Sequence, residues 1–184
     1  MKIYIMRHGQ TDWNKEKRVQ GSRHDTTLNE TGREQARASR EKIDSLGITN
    51  IYSSTLGRAR ETAEIATVNT GVKIVLDKRL CEHDVGNLSG KLNTTPDMWA
   101  DFHANPKKYG GESLTELFNR VKGFLDWLKQ QNHETTLLVM HAGIMRMFLF
   151  CAQYDTFDMD KLSEMYKISI VENCTIVKLG GKYA

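Results

Sequence analysis

Long hydrophobic runs are missing from this 184-residue chain, as are a lopsided charge, a cysteine framework and proline outside one segment. The longest apolar stretch falls far short of the ~18 residues that cross a bilayer, so no membrane span is expected. Against 23 Asp and Glu stand 26 Lys and Arg, a net charge of +3. That near balance argues against a nucleic-acid or membrane-surface binder and makes any preference for anions a local matter. The three cysteines, Cys81, Cys151 and Cys174, are odd in number and widely spaced. With no secretory n-region and h-region ahead of them, they read as reduced thiols in a cytoplasmic protein. There is no HExxH pair, no CxxC and no carboxylate cluster, so neither a metal nor another cofactor is called for. GNLSGKL at 86–92 has too few residues between its glycines, and a leucine where a metal-binding hydroxyl belongs, to act as a phosphate-binding loop.

No repeat or low-complexity tract divides the chain, and its length suits one well-buried core, so residues 1–184 are expected to form one domain. KIYIM (2–6), NIYSS (50–54), VKIVL (72–76), TTLLVM (135–140) and a last pair, KISIV (167–171) and CTIVKL (174–179), read as strands. Between them, residues 30–47 form a helical pattern with a capping-box start at Thr31-Gly32-Arg33-Glu34 and a glycine stop at Gly47. Further helices are expected over 57–68 and 113–131, the latter with leucine, valine and phenylalanine at helical intervals. Both prolines, Pro96 and Pro106, fall within 84–111 beside glycines and Asn/Thr/Asp clusters, which predicts a loop carrying a short helix over 96–102. Strands alternating with helices give an α/β fold with a largely parallel sheet covered on both faces.

In such sheets ligands bind beyond the carboxyl ends of the strands, where loops converge and helix N-termini point their free N–H groups. His8 follows the first strand by one residue and His141 directly follows TTLLVM; Gly9 and Gly143 trail them. A lone histidine at a strand end is usually an ordinary polar residue, but two in equivalent places, on neighbouring strands, would face one pocket. Arg7, beside His8, is either an edge residue or a bidentate donor to an anion. Arg58 starts a helix near its positive end, so it is either solvent-facing or held there for an anion. Glu82 in RLCEHD is again a strand-end polar group. Several cations and one acid behind strand ends suit a phosphoryl group, whose oxygens need positive donors and whose leaving oxygen needs a proton.

The run RHGQTDWN, the Gln20-Gly21 pair, DTTLNETGREQA, SSTLGRARETA, the acid in RLCEHDVG, GES at 111–113 and VMHAG resemble, in that order, the histidine phosphatase superfamily in its phosphoglycerate mutase-like branch. The resemblance covers nearly the whole chain. It implies a three-layer α/β/α sandwich with a mostly parallel central sheet, and His8 as the nucleophile that becomes phosphorylated. Arg7, Arg58 and His141 would hold the phosphoryl oxygens, with Asn14 and the Gln20-Gly21 loop assisting and Glu82 as proton donor to the leaving group. Ala142 stands where many members have a glycine, and its N–H remains available. Thr27, and Leu88-Ser89 in place of a tryptophan-glutamate pair, depart from the pattern at the rim, where substrate preference is set.

The reading that follows is a metal-independent phosphomonoesterase acting on a small phosphorylated metabolite through phosphohistidine. A cofactor-dependent phosphoglycerate mutase is the alternative, and an inactive phosphate-binding module the third. Val19-Gln20-Gly21 after Arg18, and a short segment between Glu82 and the GES, favour hydrolysis over mutase chemistry. The rim, with Arg23, His24, His83 and the 91–110 segment, does not rank substrates. Met147, Phe148 and Phe150 read as core or, in part, as a contact within a homodimer.

Overall fold

A computed structural model of the chain describes residues 1–157 and 159–183. In chain order it contains β1 (Lys2–Arg7), α1 (Asp12–Lys15), α2 (Glu30–Ala38), α3 (Arg40–Ser45), β2 (Asn50–Ser53), α4 (Gly57–Ala66), β3 (Ile74–Leu76), α5 (Pro96–Ala104), α6 (Leu114–Lys129), β4 (Thr135–Met140), α7 (Ala142–Cys151), α8 (Leu162–Lys167) and β5 (Ile176–Lys178), with short 3₁₀ turns between some of them. The strands lie in the order β3-β2-β4-β1-β5; the first four are parallel and β5 runs antiparallel to β1. Strand β4 sits in the middle and is buried at every position, which is why residues 137–140 are apolar without alternation.

Alternation along the strands divides the core into two layers. Ile3, Ile5, Leu138 and Met140 meet Val121, Phe124 and Leu125 of α6 and Phe148 of α7. Met6, Ile51, Leu137 and Val139 face the other way, onto Ala36, Ile43, Ala59, Ala63 and Ala66 from α2, α3 and α4. The result is the expected α/β/α sandwich. The small residues of α4 let that helix lie close on the sheet. Met147, Phe148 and Phe150 are fully buried in the chain's own core. Among the described residues no helix is long and apolar enough to cross a membrane.

Three sequence expectations need correction. The 30–47 pattern is not one helix: it breaks at Ser39, whose hydroxyl donates to the Gln35 carbonyl 3.0 Å away, and α3 follows. Its cap is Asn29, whose side chain accepts from the Gly32 N–H, so Thr31 lies inside the first turn. KISIV is not a strand. Lys167 ends α8, and residues 168–171 pair with no neighbour in the sheet; the carbonyls of Ile168 and Val171 instead accept from the side chains of Arg146 and Arg7. The predicted third strand shrinks to Ile74–Leu76 at the sheet edge.

Candidate active site

The register of the two central strands brings the histidines together. Arg7 pairs with Met140, and the His8 N–H donates to the Met140 carbonyl at 2.9 Å, so β1 and β4 end level. The imidazoles of His8 and His141 are 5.1 Å apart between centroids, inclined at 57°. Strand β2 ends beside them at Ser54, whose N–H donates to the Val139 carbonyl, and the turn into α4 then delivers Arg58. The loop after β1 is held down by a close backbone crossing. A Cβ on Gly32 would lie 2.1 Å from the Gln10 carbonyl oxygen, and one on Gly9 2.5 Å from that of Gly32. Only two glycines permit that approach.

The protonation pattern of His8 follows from its contacts. Its Nδ1 is 2.7 Å from the Gly9 carbonyl, which can only accept, so Nδ1 carries the hydrogen. Burial first, then the charges of Arg58 and Arg7, hold its pKa well below the ordinary histidine value against the opposing pull of the Gly9 bond. The ring is therefore neutral near pH 7 and its Nε2 carries a lone pair with no hydrogen-bond partner among the described residues. His141 has the other tautomer. Its Nδ1 accepts from Arg58 Nε at 3.2 Å, leaving Nε2–H to donate to the Ser54 hydroxyl at 2.8 Å. Burial, Arg58 and His8 push its pKa well down too. With both nitrogens engaged, His141 must exchange its Ser54 bond before it can hold a phosphoryl oxygen.

Arg58 is 0% exposed, which removes the solvent-facing reading of a cation at a helix start. Its Nη2 donates to the Gly21 carbonyl at 2.7 Å and Nη1 to that of His24 at 2.9 Å, and each terminal nitrogen keeps a second N–H. Gly21 has φ +60 and no room for a Cβ, which would meet Val85 at 2.9 Å. Arg7 donates Nη1 to the Val171 carbonyl at 2.6 Å, and its Nε is buried without a partner. The Glu82 carboxylate accepts from the backbone N–H groups of His83, Gly143 and Ile144 at 2.9–3.0 Å, seated at the N-terminus of α7. A side chain at position 143 would strike that carboxylate at 2.7 Å. Asn14 and Gln20 spend their carbonyl oxygens on Thr11, and Gln20 also on Thr26, leaving both amide groups as donors.

These residues edge a cavity of about 720 Å³ lined by Arg7, His8, Asn14, Gln20, Gly21, Arg58, Glu82 and Ala142, with an outer part formed by α5, α6, α8 and the 168–171 segment. His141 sits behind the lining, against His8. Of the rim residues, His83 reaches the cavity while Arg23 turns away to a bidentate pair with Asp84. Sequence reasoning missed several supports. Ser54 accepts from the His141 Nε2–H, Thr62 accepts from the Gly9 N–H at 2.9 Å, and Asn173 donates to the His8 carbonyl at 2.8 Å. Ser54 follows its strand just as the histidines follow theirs, and extending the strand-end argument to hydroxyls finds it. Among the described residues no three His, Cys, Asp or Glu side chains are grouped to hold a metal ion.

A model of the histidine phosphatase superfamily, branch 1, matches residues 3–182. The chain belongs to that superfamily. A probable phosphoglycerate mutase GpmB from Enterobacter sp. (strain 638) is 39% identical over an alignment of 151 residues that covers 77% of this chain and 70% of that protein. The Proteus mirabilis protein of the same name is 37% identical over the same shares. Among solved structures, a mycobacterial glucosyl-3-phosphoglycerate phosphatase complexed with VO3 superposes with a TM-score of 0.81 at 26% identity, over 96% of this chain and 91% of that one. TTHB049 from Thermus thermophilus is 32% identical with a TM-score of 0.63, over 82% and 83%. The sandwich described above is thus the histidine phosphatase fold.

Proposed function

We propose that this histidine phosphatase-family chain is a phosphomonoesterase of the cytoplasm, hydrolysing a small phosphorylated metabolite through phosphohistidine without a metal. The observation that carries the reading is the Nδ1–Gly9 bond of His8, which leaves the unprotonated Nε2 of a neutral ring in a cavity edged by guanidinium groups. Nε2 attacks phosphorus, an N–P bond forms and the ester P–O bond breaks. The leaving oxygen departs with the electron pair and takes a proton from Glu82, which takes that proton up from solvent as substrate binds and gives up part of its hold on α7 to reach the leaving oxygen. Charge on the equatorial oxygens is met by Arg7 and Arg58, already fixed by carbonyl partners, and by the free donors of Asn14, Gln20 and Ala142, with His141 joining once it leaves Ser54. Water then attacks phosphorus and passes its proton to Glu82. Inorganic phosphate leaves, and His8 regains its lone pair.

The mutase reading has support in the name of the curated relatives and differs only in what accepts the phosphoryl group. Water is favoured by the brevity of the segment between Glu82 and Gly111, which carries one helix of nine residues, α5, in place of a longer insertion over the site. Alkaline quenching, which preserves the acid-labile N–P bond, during turnover of a radiolabelled ester should trap phosphoprotein in the native chain and none in His8→Ala, whose rate should fall by at least about 10²–10³. Released phosphate and isomerised phosphoglycerate are measured separately in the same reactions. Isomerisation outrunning phosphate release would make the protein a mutase; neither trapping nor release would make it a binding module.

A further inference from the structure

The cavity is much larger than a phosphoryl group. At about 720 Å³ it falls in the range of pockets that enclose drug-sized molecules, while Arg7, His8, Arg58 and Asn14 account for one end. The remaining wall is apolar and aromatic: Trp99 and His103 from α5, Leu114 and Leu117 from α6, Met165 and Tyr166 from α8. The Trp99 and His103 rings stack on one face of α5, inclined at 29°, and His103 packs on Tyr166 across the opening with centroids 5.6 Å apart. Burial, with help from His83, holds the His103 pKa down at about 4, so this imidazole adds an uncharged ring at neutral pH. Its Nε2 and the Tyr166 hydroxyl are hydrogen-bonded to each other.

Two cations interrupt that wall, and one of them, Arg18, is spent on Glu16 and the Gly90 carbonyl. Arg146 donates Nε to the Ile168 carbonyl at 2.9 Å and lies over the Tyr166 ring, 5.1 Å from its centroid. Its terminal nitrogens have no hydrogen-bond partner and no contacting carboxylate among the described residues, and it lines the cavity. A half-buried guanidinium with open N–H groups is completed by an anionic or carbonyl oxygen. Resting on the phosphate-ester reading of this site, we infer that the group carried on the phosphate is aromatic and bears a carboxylate or similar acceptor that reaches Arg146. A sugar would bury several hydroxyls against a wall with few unengaged partners, and a three-carbon acid would leave the aromatic part of the cavity unfilled.

The test compares alkyl esters of similar leaving-group basicity, so that aromatic reactivity does not masquerade as recognition. Against glycerol 3-phosphate, 2-phenylethyl phosphate should gain roughly 10- to 100-fold in kcat/KM from ring burial. Its para-carboxylate derivative should gain about tenfold more. Trp99→Ala should erase most of the first gain. Arg146→Met should erase the second, bringing the two aromatic esters to equal kcat/KM. The inference is overturned by glycerol 3-phosphate matching the aromatic ester, by a ratio indifferent to Trp99→Ala, or by a carboxylate gain that survives Arg146→Met. Calorimetric binding of 3-phenylpropylphosphonate against propylphosphonate reads the same preference without turnover. If the aromatic phosphonate binds more tightly yet no ester is hydrolysed, the phosphatase reading falls and the shape of the site stands.

Discussion

Lowering the pH should destabilise this protein through the two buried histidines at the strand ends. His8 is 3% exposed and His141 is 0% exposed, and both are held neutral by burial and by neighbouring guanidinium charge. Their folded pKa values lie below the unfolded value of about 6.5, so the unfolded chain binds the extra protons. Stability is full above about pH 6.5 and drains as pH falls toward the folded values. Each ring then contributes about 1.4 kcal/mol per pH unit, the pair about 2.7 kcal/mol. His103, held at about 4 by burial, adds a contribution of the same sign. The window from pH 6.5 to 5 isolates the histidines: Asp101 and Glu116 are held near 2 by hydrogen bonds from Lys108 and Lys107, and such carboxylates cost stability only nearer pH 4. Urea unfolding at pH 7.5, 6.5, 5.5 and 5, in phosphate-free buffers that leave the cavity empty, measures the slope. His8→Gln should lower it by about 1.4 kcal/mol per unit. An unchanged slope in that variant would mean that His8 is not a buried neutral base, and the nucleophile assignment would lose its physical ground.

Gly32→Ala should cost about 3 kcal/mol in chemical denaturation, because its Cβ would overlap the Gln10 backbone rather than a movable side chain. Ser54→Ala strands the His141 Nε2–H in the interior, and a loss of about 1–3 kcal/mol in unfolding free energy is expected in phosphate-free buffer. Hydrolysis of a chromogenic phosphate ester should persist in excess chelator, and its complete loss there would refute the metal-free mechanism.

The strand-end histidines were legible because parallel register is forced: once β1 and β4 are neighbours, residues just past each strand meet. Arg58 was not decided by sequence, since the same position at a helix start serves a solvent-facing or a buried cation, and only burial separates the two. KISIV misled through local propensity. Its alternation and β-branched residues suit a strand, but β5 takes the free edge of β1, and the segment's carbonyls serve Arg7 and Arg146 instead. The helix start reads two residues late, because Thr31 with Glu34 mimics a capping box, whereas the side chain of Asn29 accepts from the Gly32 N–H and caps the helix. The aromatic wall left one trace, the four-residue spacing of Trp99 and His103 on α5. Tyr166 and Arg146 converge on it from other elements, and no sequence period links them.

The charge arrangement explains why so much of the site is braced by carbonyl groups. Four arginines line the cavity; Arg18 is paired with Glu16, and the other three, Arg7, Arg58 and Arg146, share the lining with a single carboxylate, Glu82, which is seated on the N–H groups of α7 instead of on any guanidinium. An acid in contact with Arg7 or Arg58 would neutralise the cation and compete with substrate. The carbonyls of Gly21, His24, Val171 and Ile168 orient the guanidinium groups through dipoles without cancelling their charge. Burial lowers the pKa of all three arginines, the expected sign for cations desolvated without a contacting counter-charge. Under the proposed mechanism the same field that keeps His8 neutral would attract a phosphoryl dianion, so nucleophile activation and substrate capture would be one electrostatic effect, and the stability given up at this end of the sheet would be recovered when the dianion binds.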